Sequence, residues 1–350
     1  MTKIFYKDKP IIGLDIGQTG IKVMAIDAQK WLVLGYGSAD LDPLKIQKSL
    51  ENGDEYLGDS LRALLTEKIV GTLPSTQTVV GIPSNRSFSR TFTLPAKAER
   101  DLAGAVEVEV DQYIPIPLAS LYVDYEIIER TKEQITAVMA AVPRTLVDNV
   151  LAAVTKAGLD PVMVEPGINA VARLLETTEE GHLATLIVDI GPASTDIAVL
   201  DGSAIRISGG LGIGGNTFTL DIAKKLNITL ENAHQLKVLS GINAGPRQAQ
   251  LVRALTPSLE RIVAEVRKVI RYYSERIEGH KIEQVLVVGS GSNVPGIGDY
   301  FTNELIMAAR PASPWQRLDF GTLPQPHKQF RPRYITVAGL ASVKQEDIWK

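Results

Sequence analysis

Cysteine is absent from all 350 residues, so disulfides, thiol nucleophiles and thiolate metal sites are excluded. The four histidines, His182, His234, His280 and His327, are too scattered to form a ligand set and read as surface or packing residues. A net charge of −3 with both signs interspersed leaves no basic stripe, which argues against a nucleic-acid partner. No apolar run approaches the ~20 residues of a bilayer span, and the N-terminus turns into a charged strand too early for a signal peptide. The expectation is a cytosolic chain with no direct membrane insertion.

What the chain has instead is one design used twice. Residues 11–23 run apolar to Asp15, turn through Gly17, Gln18, Thr19 and Gly20, and resume as an apolar strand carrying Lys22. The glycines permit φ > 0 and let backbone N–H groups approach an anion. One copy reads equally well as a hairpin whose aspartate caps its own turn. The second copy, residues 186–199, repeats strand, Asp189-Ile190-Gly191, a small-residue turn with Ser194 and Thr195, and strand. Two such hairpins suggest two similar halves closing on one ligand, and 350 residues exceed the ~250–300 at which a single core stops growing. Two aspartates at the ends of apolar strands are costly when unpaired; a divalent cation shared through water would offset that cost.

A third motif, Val287-Val288-Gly289-Ser290-Gly291-Ser292-Asn293-Val294-Pro295-Gly296, follows in the same order as in a known superfamily. Together the three resemble the phosphate and adenosine motifs of the actin-like ATPases, over nearly the whole chain and with the FtsA/PilM branch in particular. The resemblance implies ATP and Mg2+ as cofactors. Asp15 and Asp189 would hold the metal through water. Gly17, Gln18, Thr19, Gly20, Gly191, Ser194 and Thr195 would surround the phosphates, Lys22 would reach one, and Gly289, Gly291 and Ser292 would let a purine lie on backbone. Gly214, Gly215 and Asn216 form a Gly-rich turn feeding a helix, a recurrent anion or ribose site, and match the branch's Gly-Gly run. Lys237 matches the nucleoside-side lysine, whereas His234 departs from the glutamate usual there. Glu165, opening the first connecting helix, is either a water-positioning group or an acid favoured by the helix dipole.

The fold class implied is α/β: an actin-like two-lobe ATPase fold with duplicated mixed sheets and an inserted β-α-β-β-α subdomain in the first lobe. The expected boundaries are 1–83 with 161–182 and 335–350 for the first lobe, 84–160 for the insertion, and 183–334 for the second lobe. Periodicity predicts strands at 21–27, 31–38, 79–82, 88–94, 121–128, 134–142, 197–200, 204–208 and 284–288. It predicts helices at 56–69, 98–113, 144–157, 217–226, 230–239 and 256–277, with 40–56 a polar stretch, Thr256-Pro257 opening the long helix, and a further helix after Pro295-Gly296. Residues 310–333 read as an ordered excursion or loop, and 335–341 match the second connecting helix.

The proline-punctuated loop Tyr113-Ile114-Pro115-Ile116-Pro117-Leu118 either packs down between helix and strand or, with Tyr113, Ile114, Ile116 and Leu118, accepts an extended peptide. Resemblance to PilM implies that the peptide is the cytosolic N-terminal tail of a PilN-like single-span membrane protein, which would recruit the chain to the cytoplasmic face of the inner membrane. Pilus motor ATPases are a second partner class, and homo-oligomerisation is left open. Hydrolysis is expected to be slow or absent. The alternatives are a stand-alone small-molecule kinase or slow ATPase, and an FtsA-like filament-forming division protein, although the chain after residue 343 is too short for the linker and amphipathic helix of FtsA.

Overall fold

Side chains alternate along β1 (Ile12–Gly17): Ile12, Leu14 and Ile16 are buried in one core, while Gly13 and Asp15 take the other face. The computed structural model describes residues 10–179, 183–243, 249–277 and 279–348. After β1 come β2 (Gly20–Asp27), β3 (Leu32–Asp40), the helices α1 (Pro43–Asn52) and α2 (Glu55–Glu67), β4 (Ile69–Gly71) and β5 (Gln77–Ile82). Next are β6 (Phe88–Pro95), α3 (Leu102–Tyr113), β7 (Leu121–Arg130), β8 (Gln134–Pro143), α4 (Arg144–Lys156), β9 (Asp160–Pro166) and α5 (Gly167–Glu176). The second half has β10 (Thr185–Ile190), β11 (Thr195–Asp201), β12 (Ala204–Leu211), α6 (Gly215–Leu226), α7 (Leu230–Leu239), α8 (Ala249–Arg276), β13 (Gln284–Val288), α9 (Ile297–Leu305), β14 (Ala309–Pro311) and α10 (Ile335–Ala341).

Two sheets carry the duplication. The first runs β4-β3-β2-β1-β5-β9 and the second β14-β13-β10-β11-β12-β6-β8-β7. In each, an antiparallel hairpin is followed by a parallel neighbour: β1 pairs β2 and then β5, β10 pairs β11 and then β13. The alternation repeats too. Leu186, Val188 and Ile190 of β10 face the second lobe's own core, and Ile187 faces a core shared with α5, α10 and the first sheet.

Strands β6, β8 and β7 leave the chain between first-lobe elements but extend the second sheet, joined to β12 at Ile207 and Arg90 and by the Thr91 hydroxyl donating to the Arg206 carbonyl. Helix α4, which follows β8 directly, places Leu146, Val150 and Val154 in the first lobe's core beside Leu57 and Leu61 of α2. The inserted stretch therefore touches both lobes.

Two expectations change. The polar stretch 40–56 contains α1, started by Pro43 and by Asp42, whose carboxylate accepts from the Leu44 and Lys45 N–H groups, and closed by Gly53 at φ 71°. It buries only Ile46, Ser49 and Leu50, too few to stand out as a pattern. Pro257 lies inside α8 and does not open it; Leu251, Ala254 and Leu255 bury the turns before it, and that burial outweighs the lost backbone hydrogen bond.

Helices α5 and α10 cross at Gly339, where a Cβ would overlap the Ala170 carbonyl, and α10 lies close on β1 because a Cβ on Gly13 would overlap the Val337 carbonyl. Gly339→Ala should therefore cost about 1–3 kcal/mol of folding stability, read from urea unfolding; an unchanged midpoint would show that the crossing can widen freely.

Candidate functional site

The turns between β1 and β2 and between β10 and β11 face each other across an open cleft of about 780 Å³. Register explains which side chains reach it. In the first hairpin Asp15 stands opposite Lys22, and in the second Asp189 stands opposite Asp196; all four line the cleft. The turns are built alike: a Cβ on Gly17 would lie 3.2 Å from the Gly20 carbonyl, and one on Gly191 3.2 Å from that of Ser194. Neither Gly17 nor Gly20 is among the glycines at positive φ, so left-handed backbone is not what selects them. Gly20 is required by close approach, since a Cβ there would sit 2.7 Å from the Ala39 carbonyl.

The floor of the cleft is short of positive charge. Lys22 Nζ donates to Asp15 Oδ2 at 2.7 Å. Asp189 has no such partner among the described residues: burial, and then repulsion from Asp15, push its carboxyl up to about 7, with Lys22 offsetting part of the rise. Asp196 is pushed to about 8, first by burial and then by Asp189, against a lowering hydrogen bond with Ser84. Its Oδ1 is buried with no hydrogen-bond partner among the described residues. A proton or a cation is what such a floor lacks. Among the described residues no group of three or more His, Asp or Glu side chains is placed to hold an ion directly; a hydrated Mg2+ held through water by Asp15 and Asp189, with Asp196 beside it, fits this donor set.

Of the expected site residues, the structure brings Asp15, Gly17, Gln18, Thr19, Gly20, Lys22, Asp189, Gly191, Ser194 and Gly289 to the cleft. Gly289, at φ 75°, is indispensable there because a Cβ would overlap the Asp189 carboxylate. The others take different work. Thr195 is buried and its hydroxyl donates to the Ile213 carbonyl at 2.7 Å. The N–H groups of Gly215 and Asn216 donate to the Gly191 and Pro192 carbonyls, so this helix start braces the second turn with the donors that were expected to meet a ligand. Lys237 is buried, donates to the Gly215 carbonyl at 2.8 Å and to Thr219 Oγ1 at 2.9 Å, and is lowered to about 8 by desolvation; it braces the same turn from below. Gly291 packs on Ile190, and the Ser292 hydroxyl donates to the Gly289 carbonyl. Glu165 does not line the cleft: both its oxygens accept from Arg173, at 2.9 and 2.6 Å, so a water-positioning role is not what its geometry offers. His234 is held below the usual imidazole range by burial and by Lys237.

Asp196, Ser84, Arg333 and Thr336 also line the cleft and escaped sequence reasoning. Asp196 had a usable signal, its place opposite Asp189 in the hairpin. In the inserted stretch, Ile114 is buried and Ile116 and Leu118 pack against the same core as Phe92 and Val110. Tyr113 stays 41% exposed, as do Tyr122 and Tyr125 in part, and β7 ends its sheet with one edge unpaired among the described residues.

Duplicated mixed sheets closing on a two-hairpin cleft define the class of actin-like ATPases. Within it, the sequence model of the type IV pilus assembly protein PilM matches residues 13–345, and the chain belongs to that family. A solved PilM-PilN type IV pilus biogenesis complex is similar with a TM-score of 0.77 at 22% identity, covering 95% of this chain and 97% of that one. MreB5 of Spiroplasma citri bound to ADP is similar with a TM-score of 0.51 at 13% identity, covering 95% of each. The cell division protein FtsA of Enterococcus faecalis is 24% identical over 79% of this chain. Matches to FtsA span from 15% to 67% of those proteins' own length.

The raised carboxyls give a signed test. They hold protons in the folded chain at pH values where the unfolded chain, with carboxyls near ~4, has lost them. The stability this gives is complete below that pH and is lost as pH rises through about 7 and about 8. Relative to wild type, ligand-free Asp196→Asn should therefore gain on the order of 4 kcal/mol of stability between pH ~5 and pH ~8.5, read by thermal melting; a difference between the two proteins that stays constant over that range would contradict the assignment.

Proposed function

We propose that this chain is an ATP-binding scaffold of a type IV pilus, secretion or DNA-uptake assembly platform. The observation that carries the reading is the pair of opposed hairpin turns whose aspartates face one cleft and leave it short of positive charge. Backbone and side-chain donors of Gly17, Gln18, Thr19, Gly20 and Ser194 would surround the phosphates of ATP, with Lys22 as a point charge. Bound Mg2+ would supply neutralisation of phosphate charge, held by Asp15 and Asp189 through water. The ADP-bound MreB5 neighbour supports a nucleotide as a ligand of this fold.

Hydrolysis by the chain alone is slow in this reading. Glu165, at the end of β9 before α5, is locked to Arg173 and does not serve as a free carboxylate base, and nucleotide serves to hold the lobes together by mass action. No helix among the described residues is long and apolar enough to cross a membrane. Membrane recruitment falls to a PilN-like single-span protein, whose cytosolic tail docks at the inserted stretch beside Tyr113. The solved PilM-PilN complex supports that partner class.

In calorimetry, Asp15→Ala and Asp189→Ala should each weaken Mg-ATP binding at least roughly tenfold while remaining folded; undiminished affinity in both would overturn the nucleotide reading. Turnover of pure protein should be on the order of 10⁻² per second or slower. Tyr113→Ala should weaken binding of a labelled tail peptide by about 2 kcal/mol, measured by fluorescence anisotropy, and a wild type that binds no such tail would remove the scaffold half of the proposal.

A further inference from the structure

Arg333 belongs to neither hairpin, yet it lines the cleft with Pro332 and Thr336. Its guanidinium pairs with Asp40, the last residue of β3, which stands opposite Gly20 in the ladder between β2 and β3. The Leu41 N–H donates to the Thr19 carbonyl at 2.9 Å, so Asp40 is fixed immediately beside the first turn. The backbone around Arg333 is anchored independently. The Tyr334 hydroxyl is hydrogen-bonded to Ser38 Oγ at 2.8 Å, and Asn293 donates to the Gln329 carbonyl at 3.0 Å.

Among the described residues, the two cationic side chains that line the cleft are not held alike. Lys22 is engaged with Asp15 in a pair where both side chains are only 14% exposed. Asp40 is 77% exposed, and a pair formed by a carboxylate that remains hydrated is weak. A polyphosphate offers several anionic oxygens and more charge than one hydrated carboxylate, in a geometry that suits a guanidinium fork. The floor already carries Asp15, Asp189 and Asp196 against Lys22, so an anionic ligand needs a further cation, and Arg333 is the one whose release costs least.

We infer that Arg333 is a phosphate-binding residue of this cleft, held by Asp40 in the ligand-free chain and transferred to the ligand's phosphates on binding. The assignment rests on the proposed nucleotide site and adds a specificity: the exchange favours polyphosphates over uncharged nucleosides. It also makes Asp40 a competitor for the ligand, although no contact between Asp40 and nucleotide is required.

The test is calorimetry on the full chain with Mg-ATP and with adenosine, using wild type, Arg333→Gln and Asp40→Asn, each checked by thermal melting. Arg333→Gln should weaken ATP roughly tenfold or more and leave adenosine unchanged. Asp40→Asn should strengthen ATP by about two- to fivefold. Arg333→Gln binding ATP as wild type does, or losing ATP and adenosine to the same extent, overturns the inference while the nucleotide reading stands. Wild type binding neither overturns the nucleotide reading and this one with it.

Discussion

The structure depends on how closely two helices approach between two sheets. Helices α5 and α10 share one core with Met24, Ile26 and Tyr36 of the first sheet and Ile187, Leu286 and Val288 of the second. Bare backbone at Gly13, Gly81 and Gly339 sets the spacing, because a Cβ at any of them would strike α10 or, at Gly339, α5. With these helices seated, alternation along β1 and β10 turns Asp15 and Asp189 toward the same space. The packing that stabilises the lobes is thus also what forces carboxylates together.

That forced proximity accounts for much of the local chemistry. Two hairpins of the same design carry different residues at the same register, Lys22 in one and Asp196 in the other, so the pair of turns is symmetric in backbone and asymmetric in charge. The first hairpin neutralises itself. The second cannot, and its carboxyls rise instead. Around it the Gly215 and Asn216 donors, Lys237 and Thr195 are all spent inside the protein, which keeps the second turn rigid where it meets the cleft.

Much of this was legible in the residues, for definite reasons. Apolar strands that end in aspartate and glycine leave a local trace, so both hairpins and the strand 284–288 could be read directly, whereas the helix 335–341 came through the resemblance. Gly214, Gly215, Asn216 and Lys237 show where local reading ends: a glycine turn before a helix looks open to a ligand until its partners, Gly191 and Pro192, arrive from another element. Helix α1 was hidden because it buries so few side chains. Arg333 was not legible at all. It sits among other arginines in a proline-rich stretch, and only the fold places it against Asp40.

The inserted stretch has a mechanical consequence. Its strands are stitched to the second sheet through β12, while the chain enters it from β5 and leaves it through α4, both seated in the first lobe. It therefore spans the lobes as a crossbar fixed at both ends. Any change of angle between the lobes would have to bend that crossbar or shear the narrow seam at Ile207 and Arg90, so the seam is where the strain of such a change would fall.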